Sequence, residues 1–584
     1  MKIARCFSFF LIFLIPVLAS AQPAADAANE KQRKLSILVD QILADIPSFR
    51  LGSNRAFLYA KGGSLICKSE PERSNAMLRA AIGELINAQA IAESEKKPNV
   101  QNELLTSQMT RPRVLSTVAV CDADLALQSF YRTRPVAVER SISVGLTKPS
   151  KISSGNQNDP QIAQNELNLE QSLMRLAADQ NPDRALALLK ESLKLGVTLQ
   201  TFNLLQKLNA KDPDEATRQA SIAVENIIQK GFGTAGRPDQ QNIQVATAFL
   251  SEFMRAKQPA DKGLKFDDSQ IKTLAEKMFA AFLDPANGNF YFQPQSLIQY
   301  AERLSPGNIA RIRAREKTLN QQRGGVSYGR GAGDPRIGVL LSSKPTVERL
   351  ITDAKSFPLE SRQQIYFTAA NKLADTDNIP AAMALLHENF SDDALTHATD
   401  SLNWYYAHRL LNLGKYDEAE RMMFDFPESN RNSALLGLAI TIFNKNKAEN
   451  KDAALSILNR VRMLMPDRPS NQNELTQLMQ LASAFAKIEA DPAFRLAESI
   501  VPKLNDLIDA SILIGTFQGN GNFQYGELPV GQGMPFPFQF DTSFLPPLAE
   551  ADFERTARFA DQFTRAEMRI NLKLLLADHI WSRR

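Results

Sequence analysis

Helix-start signals recur along this chain at a spacing that strongly constrains its fold. Three of them combine an oxygen-bearing residue, suited to cap a helix, with proline at the first helical position: Asn181-Pro182, Asp212-Pro213 and Asp491-Pro492. Further starts are predicted at Asn378, Asp417 and Asp452. From cap to cap, the steps are 31 residues (181 to 212), 39 (378 to 417), 35 (417 to 452) and 39 (452 to 491). A period of this length indicates one helical hairpin per repeat.

Apolar residues between these signals follow the helical period. One such stripe is Ala246, Phe249, Leu250, Phe253 and Met254. A single hairpin cannot bury its apolar face alone, so neighbouring hairpins must stack. With 44% hydrophobic residues, the chain has enough material for a large core. The prediction is an all-α superhelical array of antiparallel helical hairpins, an α-solenoid.

The segment from Leu413 through Gly414 and Tyr416 to Ala419 resembles the inter-helix turn of a tetratricopeptide repeat. Ala407 matches the small position of that family, where two helices approach closely. Pro427 and the drifting spacing depart from the family's pattern, so the array is interpreted as tetratricopeptide-like. The whole chain is also similar to secreted bacterial helical proteins that carry no assigned activity.

Residues 1–21 have the pattern of a secretory signal peptide. Lys2 and Arg5 precede an apolar run from Phe7 to Leu18, and small residues at Ala19–Ala21 supply a cleavage site. A true membrane anchor is the alternative. We expect an exported protein, periplasmic or extracellular, with no transmembrane segment after cleavage, because no later stretch approaches 18 uninterrupted apolar residues.

Two cysteines, Cys67 and Cys121, follow the predicted cleavage site. Each lies at the end of an apolar helical pattern, just before a polar turn. An oxidising compartment favours a disulfide between them, and two buried, unreactive thiols are the alternative. Cys67 and Cys121 are therefore disulfide candidates.

Breaks in the helical pattern suggest domain boundaries. Stretches rich in Ser, Asn, Gly and Pro interrupt it twice, and a longer Gly, Pro and aromatic insert does so near the C-terminus. The predicted order is a signal peptide (1–21), an N-terminal helical region (22–147), a linker (148–160), helical repeats (161–323), a Gly-rich loop (324–336), tetratricopeptide-like repeats (337–514), the insert (515–547) and C-terminal helices (548–584).

The insert is the strongest functional candidate in the sequence. Its 33 residues include six Gly, five Pro and seven Phe or Tyr, a composition that disfavours helix and argues against a merely solvated linker. Its aromatic side chains either close the hydrophobic core or form an interaction patch. The partner-binding candidates are Phe536, Phe538 and Phe540.

Motifs of catalysis are weak here. Gly325–Gly329 matches the pattern around a nucleophilic serine, Ser327, but no β-branched strand precedes it, which favours a loop. Glu498-Ser499 is similar to the catalytic Glu-Ser pair of lytic transglycosylases, but it lies inside a plain repeat helix. No catalytic residue is therefore predicted.

Metal and cofactor motifs are also weak. His387-Glu388 lacks the second histidine of a zinc-protease helix. His397 and His408 fall on one face of a continuous helix but roughly 16 Å apart, too far to share one ion. No metal or cofactor is predicted, and His408 beside Trp404 is interpreted as packing or surface polarity.

A formal net charge of +4 is too small for a protein that grips nucleic acid through bulk charge. The sequence thus predicts an exported helical-repeat scaffold or adaptor that binds a protein or peptide partner in the cell envelope. The alternative is an all-α enzyme acting on envelope glycan or peptidoglycan, which requires carboxylates converging in a cleft. Activity as an enzyme, the partner's identity and the oligomeric state stay open.

Overall fold

A computed structural model describes residues 29–94, 98–135, 138–139, 159–234, 237–255, 263–287, 293–323, 335–343, 345–518, 526–531 and 540–582. Helices dominate these ranges, beside one antiparallel pair of two-residue strands, β1 (Gly233–Thr234) and β2 (Arg237–Pro238). Among the described residues, no helix is long and apolar enough to cross a membrane. The chain forms two units, one of 1–325, 512–534 and 580–584, the other of 326–511 and 535–579.

In the described ranges of the first unit, thirteen helices have both ends defined, and a short 3-10 helix follows α1 at Ile46–Ser48. Another 3-10 turn, Pro306–Asn308, precedes the last of them. The helices are α1 (29–45), α2 (Gly52–Ile66), α3 (Pro71–Ser94), α4 (Pro98–Ala119), α5 (Ala123–Arg132), α6 (Asp159–Gln180), α7 (Pro182–Ser192), α8 (Leu199–Asn209), α9 (Pro213–Lys230), α10 (Gln240–Arg255), α11 (Asp268–Leu283), α12 (Pro294–Leu304) and α13 (Ile309–Arg323).

The other helices begin in the second unit, and the last residues of α23 and α26 belong to the first. They are α14 (Pro335–Ser342), α15 (Val347–Ala354), α16 (Leu359–Asp375), α17 (Ile379–Asn389), α18 (Asp392–Asn412), α19 (Tyr416–Phe424), α20 (Glu428–Lys445), α21 (Lys451–Leu464), α22 (Gln472–Ile488), α23 (Ala490–Phe517), α24 (Leu545–Ala551), α25 (Phe553–Asp561) and α26 (Ala566–Ser582).

Within each unit, a helix packs against the next helix and often against the next but one. In the first unit α6 contacts α7 and α8, and in the second α16 contacts α17 and α18. This ladder of neighbouring hairpins is the packing of an α-solenoid, because each repeat buries its apolar face on the repeat beside it. The predicted all-α array of hairpins is confirmed.

The predicted helix caps show how local signals fix the hairpins. Asn181, Asp212 and Asn378 each accept a hydrogen bond from the backbone three residues on. Asp417, Asp452 and Asp491 are not caps as predicted, because α19, α21 and α23 begin one residue earlier, at Tyr416, Lys451 and Ala490. The Asp491 carboxylate accepts from Arg555 at 2.8 Å instead. Pro492 still lies in the first turn, where its missing N–H is not needed.

The turn that resembles a tetratricopeptide repeat joins α18 to α19. Gly414 takes a left-handed conformation with φ of +79°, and the Lys415 N–H donates to the Leu410 carbonyl at 2.9 Å. This arrangement ends α18 with a Schellman motif. Ala407 and Ala419 are fully buried, as the resemblance implies for positions where helices approach closely.

Candidate functional site

A cavity of about 600 Å³ lies in the second unit, on the first helices of three successive hairpins. Its size falls in the range of ligand pockets. We call it the groove; it is lined from α16 by Phe367 and Asn371, from α18 by His397, Asp400, Ser401, Trp404, Tyr405 and His408, and from the start of α20 and the preceding turn by Phe426, Pro427 and Asn430.

Helix α18 supplies most of the lining because its sequence separates two faces. His397, Ser401, Trp404 and His408 recur at steps of three or four residues, so they share one side of the helix. Residues at other positions, among them Leu402, are buried in the core of the second unit. The core side holds the hairpin in place, and the other side lines the groove.

Aromatic side chains form one wall of the groove. The Trp404 ring lies 4.8 Å from the His408 ring and 5.8 Å from that of Phe426, between centroids. Trp404 is 40% exposed and Tyr405 37%, while Phe426 is buried. An exposed tryptophan held in place by a buried aromatic ring is a rigid surface for binding.

Polar groups at the edge of the groove have partners. The Tyr405 hydroxyl donates to Asp375 at 2.7 Å, and this hydrogen bond, with burial, raises the pKa of the phenol. Arg409 donates to Asp377 and to the Asp375 backbone carbonyl. Tyr405 is thereby fixed as a neutral donor, and its ring is held at the rim.

Two of the three histidines singled out in the sequence, His397 and His408, lie in this groove. As predicted, α18 is continuous between His397 and His408 and places both on one face. His408 contacts Trp404, consistent with the interpretation as packing. No group of three or more His, Cys, Asp and Glu in the described chain could hold a metal ion. Asp400, Asn371 and Asn430 also line the groove, and no signal in the sequence marks them.

The catalytic motif at Glu498-Ser499 is not part of the groove lining. Glu498 accepts from Arg555 at 3.4 Å, and the Ser499 hydroxyl donates to the Leu496 carbonyl at 2.7 Å. Ser327 lies outside the described residues. His387 lies near the end of α17.

The two cysteines after the predicted leader are paired in the structure. Cys67 follows α2 and Cys121 precedes α5, and their Cα atoms are 6.1 Å apart, joined by a disulfide. This separation lies within the range that a disulfide spans. The bridge closes a loop of 54 residues in the first unit.

The aromatic candidates of the insert are only partly within the described residues. Phe536 and Phe538 lie outside them. Phe540 is half-buried, and its ring meets that of Phe563 edge-on at 5.9 Å. Phe544 is fully buried, whereas Phe517, still within α23, is 91% exposed. Helix therefore covers more of 515–547 than its composition predicts, and the role of Phe540 in binding a partner stays a prediction.

Another part of the insert is packed into the first unit. The Glu527 carboxylate accepts from the Leu51 N–H at 3.0 Å, at the start of α2, and Asn54 accepts from the Val530 N–H at 2.8 Å. Leu528 and Val530 are buried. This six-residue segment, 526–531, closes the core rather than presenting a surface, and the carboxylate supplies an N-terminal cap that Leu51 cannot.

Comparisons with known proteins add little to this geometry. No family model matches the chain, and no curated protein matches it. Among solved structures, the chain is similar to a protein described as a "Circular tandem repeat protein with novel repeat topology and enhanced subunit contact surfaces", at 12% identity. That similarity covers 94% of this chain and 98% of the other, with a TM-score of 0.16.

Proposed function

We propose that the protein is an exported helical-repeat adaptor that holds a peptide segment of a partner in the groove of the second unit. The observation that carries the proposal is the exposed Trp404, held against Phe426 inside a cavity of peptide-binding size. Exposed aromatic anchors in concave sites carry much of the energy of protein recognition. Export follows from the leader pattern alone.

The carboxamides favour a peptide as the occupant. Asn371 and Asn430 line the groove from different helices. A carboxamide both donates and accepts hydrogen bonds, as each peptide unit of an extended segment does. The hydrolytic alternative needs a pair of carboxyl groups flanking the scissile bond. Within the described part of the chain, the lining of the groove contains one carboxylate, Asp400, so the geometry supports binding better than glycan hydrolysis.

The test is selection from a random displayed peptide library on the purified full-length protein. Selected peptides are synthesised, and their affinities are measured by calorimetry. We expect Trp404→Ala to weaken binding at least tenfold, because it removes the anchor surface. Trp581→Phe is the matched control, since Trp581 is similarly exposed, at 37%, but does not line the groove.

Circular dichroism of each variant separates loss of binding from loss of fold. Peptides that bind Trp404→Ala as tightly as the wild type would contradict the proposal. Binding of peptidoglycan oligosaccharides through Trp404, with no peptide selected, would favour the glycan alternative instead.

A further inference from the structure

Two residues that line the groove each have an acceptor without a donor among the described residues. Asp400 makes no hydrogen bond or ion pair among the described residues, although it lines the groove. The Oδ1 atom of Asn371, also in the lining, is buried and has no hydrogen-bond partner in the described structure. A buried acceptor left unpaired costs about 1–3 kcal/mol. Because the Asn371 oxygen is itself buried, the half-buried Asp400 carboxylate is the acceptor that a ligand can reach.

Nearby cations of the second unit do not serve these acceptors. Arg409, one residue beyond His408, donates to Asp377 and to the backbone of residue 375. Its guanidinium therefore lies in the hydrogen-bonded rim. Lys415, in the turn after α18, pairs with Glu418. The negative charge of Asp400 is available to a ligand.

The aromatic wall suits the same kind of ligand. The face of a tryptophan ring attracts cations more strongly than that of any other side chain, and arginine stacks on it most often. Trp404 is exposed and lies one helical turn from Asp400 on the same helix. The groove thus combines a carboxylate without a partner among the described residues and an exposed aromatic face.

We propose that the groove selects peptides through one basic side chain, with arginine preferred to lysine. This inference rests on the function proposed above. Asp400 forms the ion pair, and Trp404 stacks on the guanidinium. Arginine offers five donors in a planar fork that can stack and bond at once, whereas lysine presents three donors around a point charge.

The test uses a groove-binding peptide from the selection, remade with arginine, lysine, citrulline or norleucine at the anchor position. Affinity is measured in the Trp581→Phe background, where Trp404 is the sole tryptophan and its fluorescence reports the groove. We expect the arginine peptide to bind at least tenfold more tightly than the citrulline peptide, which has nearly the same shape without the charge. Added salt should reduce this difference.

Substitutions of the carboxylate complete the test. Asp400→Asn should remove the preference for arginine over citrulline and leave citrulline binding unchanged, and Asp400→Glu should keep part of it. Asp393→Asn, on the same helix but outside the lining, is the matched control and should change nothing. Selected peptides that depend on Trp404 but lack basic residues, or a preference that survives Asp400→Asn, would overturn this inference and leave the peptide-binding function standing. If no selected peptide responds to Trp404→Ala, the proposed function fails as well.

Discussion

Two regions of this protein differ in whether their polar side chains have hydrogen-bond partners among the described residues. In the first unit, Arg111 is 5% exposed and directs both terminal nitrogens to the Glu166 carboxylate, at 2.8 and 3.0 Å, while its Nε donates to Thr133. Arg134 donates to the same carboxylate. In the groove of the second unit, Asp400 and the Asn371 carbonyl oxygen have no such partners among the described residues.

The pairing extends beyond Arg111 in the first region. The Tyr131 hydroxyl donates to Glu170 at 2.7 Å, and burial together with this bond raises the pKa of the phenol far above its usual value. Ser192 donates to the same carboxylate. Buried polar groups that satisfy one another fix a core, whereas polar groups left unpaired beside an exposed aromatic ring indicate where something else binds.

The largest expected effect on stability comes from a substitution among the buried, mutually bonded polar groups around Arg111 and Glu166, which we call the paired region. Arg111→Met should lower the free energy of unfolding by about 3 kcal/mol, because it removes one partner of a buried ion pair and leaves the other in the core. Arg184→Met is the control, since Arg184 forms an exposed pair with Asp124 worth less than about 1 kcal/mol. Urea denaturation measures both, and equal losses would contradict the view that the Arg111 pair holds the core.

The hairpins can be predicted from the sequence alone because the signals that start their helices are local. An N-cap such as Asn181 or Asp212 accepts a hydrogen bond from a backbone N–H only three residues further along the chain. The same reasoning fails for Asp491, because Arg555, 64 residues away in the chain, takes up its carboxylate. Helix existence and order are thus predictable, and the use of each polar side chain depends on distant packing.

The groove could not be predicted from the sequence, for the same reason. Phe367 and Trp404 come from different helices and Phe426 from the turn before α20, and no spacing along the chain relates the three. The histidines of α18 could be placed on one face, but their neighbours across the groove could not. The insert shows the extreme case, since Glu527 bonds to the backbone of Leu51, 476 residues earlier.

A substitution in segment 526–531, which bonds to the backbone of Leu51, is a second way to destabilise the first unit, and we expect a smaller effect than that of Arg111→Met. Gly531 has φ of +74°, and a Cβ atom added there would lie 2.2 Å from the Phe57 ring. Gly531→Ala should destabilise the protein by about 1–3 kcal/mol through overpacking, in addition to backbone strain.

Gly526→Ala isolates the strain, because Gly526 has nearly the same φ, +73°, and an added Cβ would meet nothing within 4 Å. Thermal unfolding should rank Gly531→Ala well below Gly526→Ala. Equal midpoints would mean that segment 526–531 does not pack on α2 in solution.

The smallest expected change in stability comes from a substitution in the groove, and it is the sharpest test of the difference between the groove and the paired region. Asp400 has no cation or donor to lose among the described residues, so Asp400→Asn should change the free energy of unfolding by less than about 0.5 kcal/mol. An increase in the stability of the Asp400→Asn variant would also agree with a binding role, since residues of ligand sites often lower the stability of the free protein. Asp375→Asn is the counterpart at the rim, where the carboxylate accepts from Tyr405, and it should cost up to about 1 kcal/mol. Urea unfolding of the two variants without ligand distinguishes them. A loss of more than 1 kcal/mol for Asp400→Asn would mean that this carboxylate already supports the fold, and the groove would then belong with the paired region of the first unit.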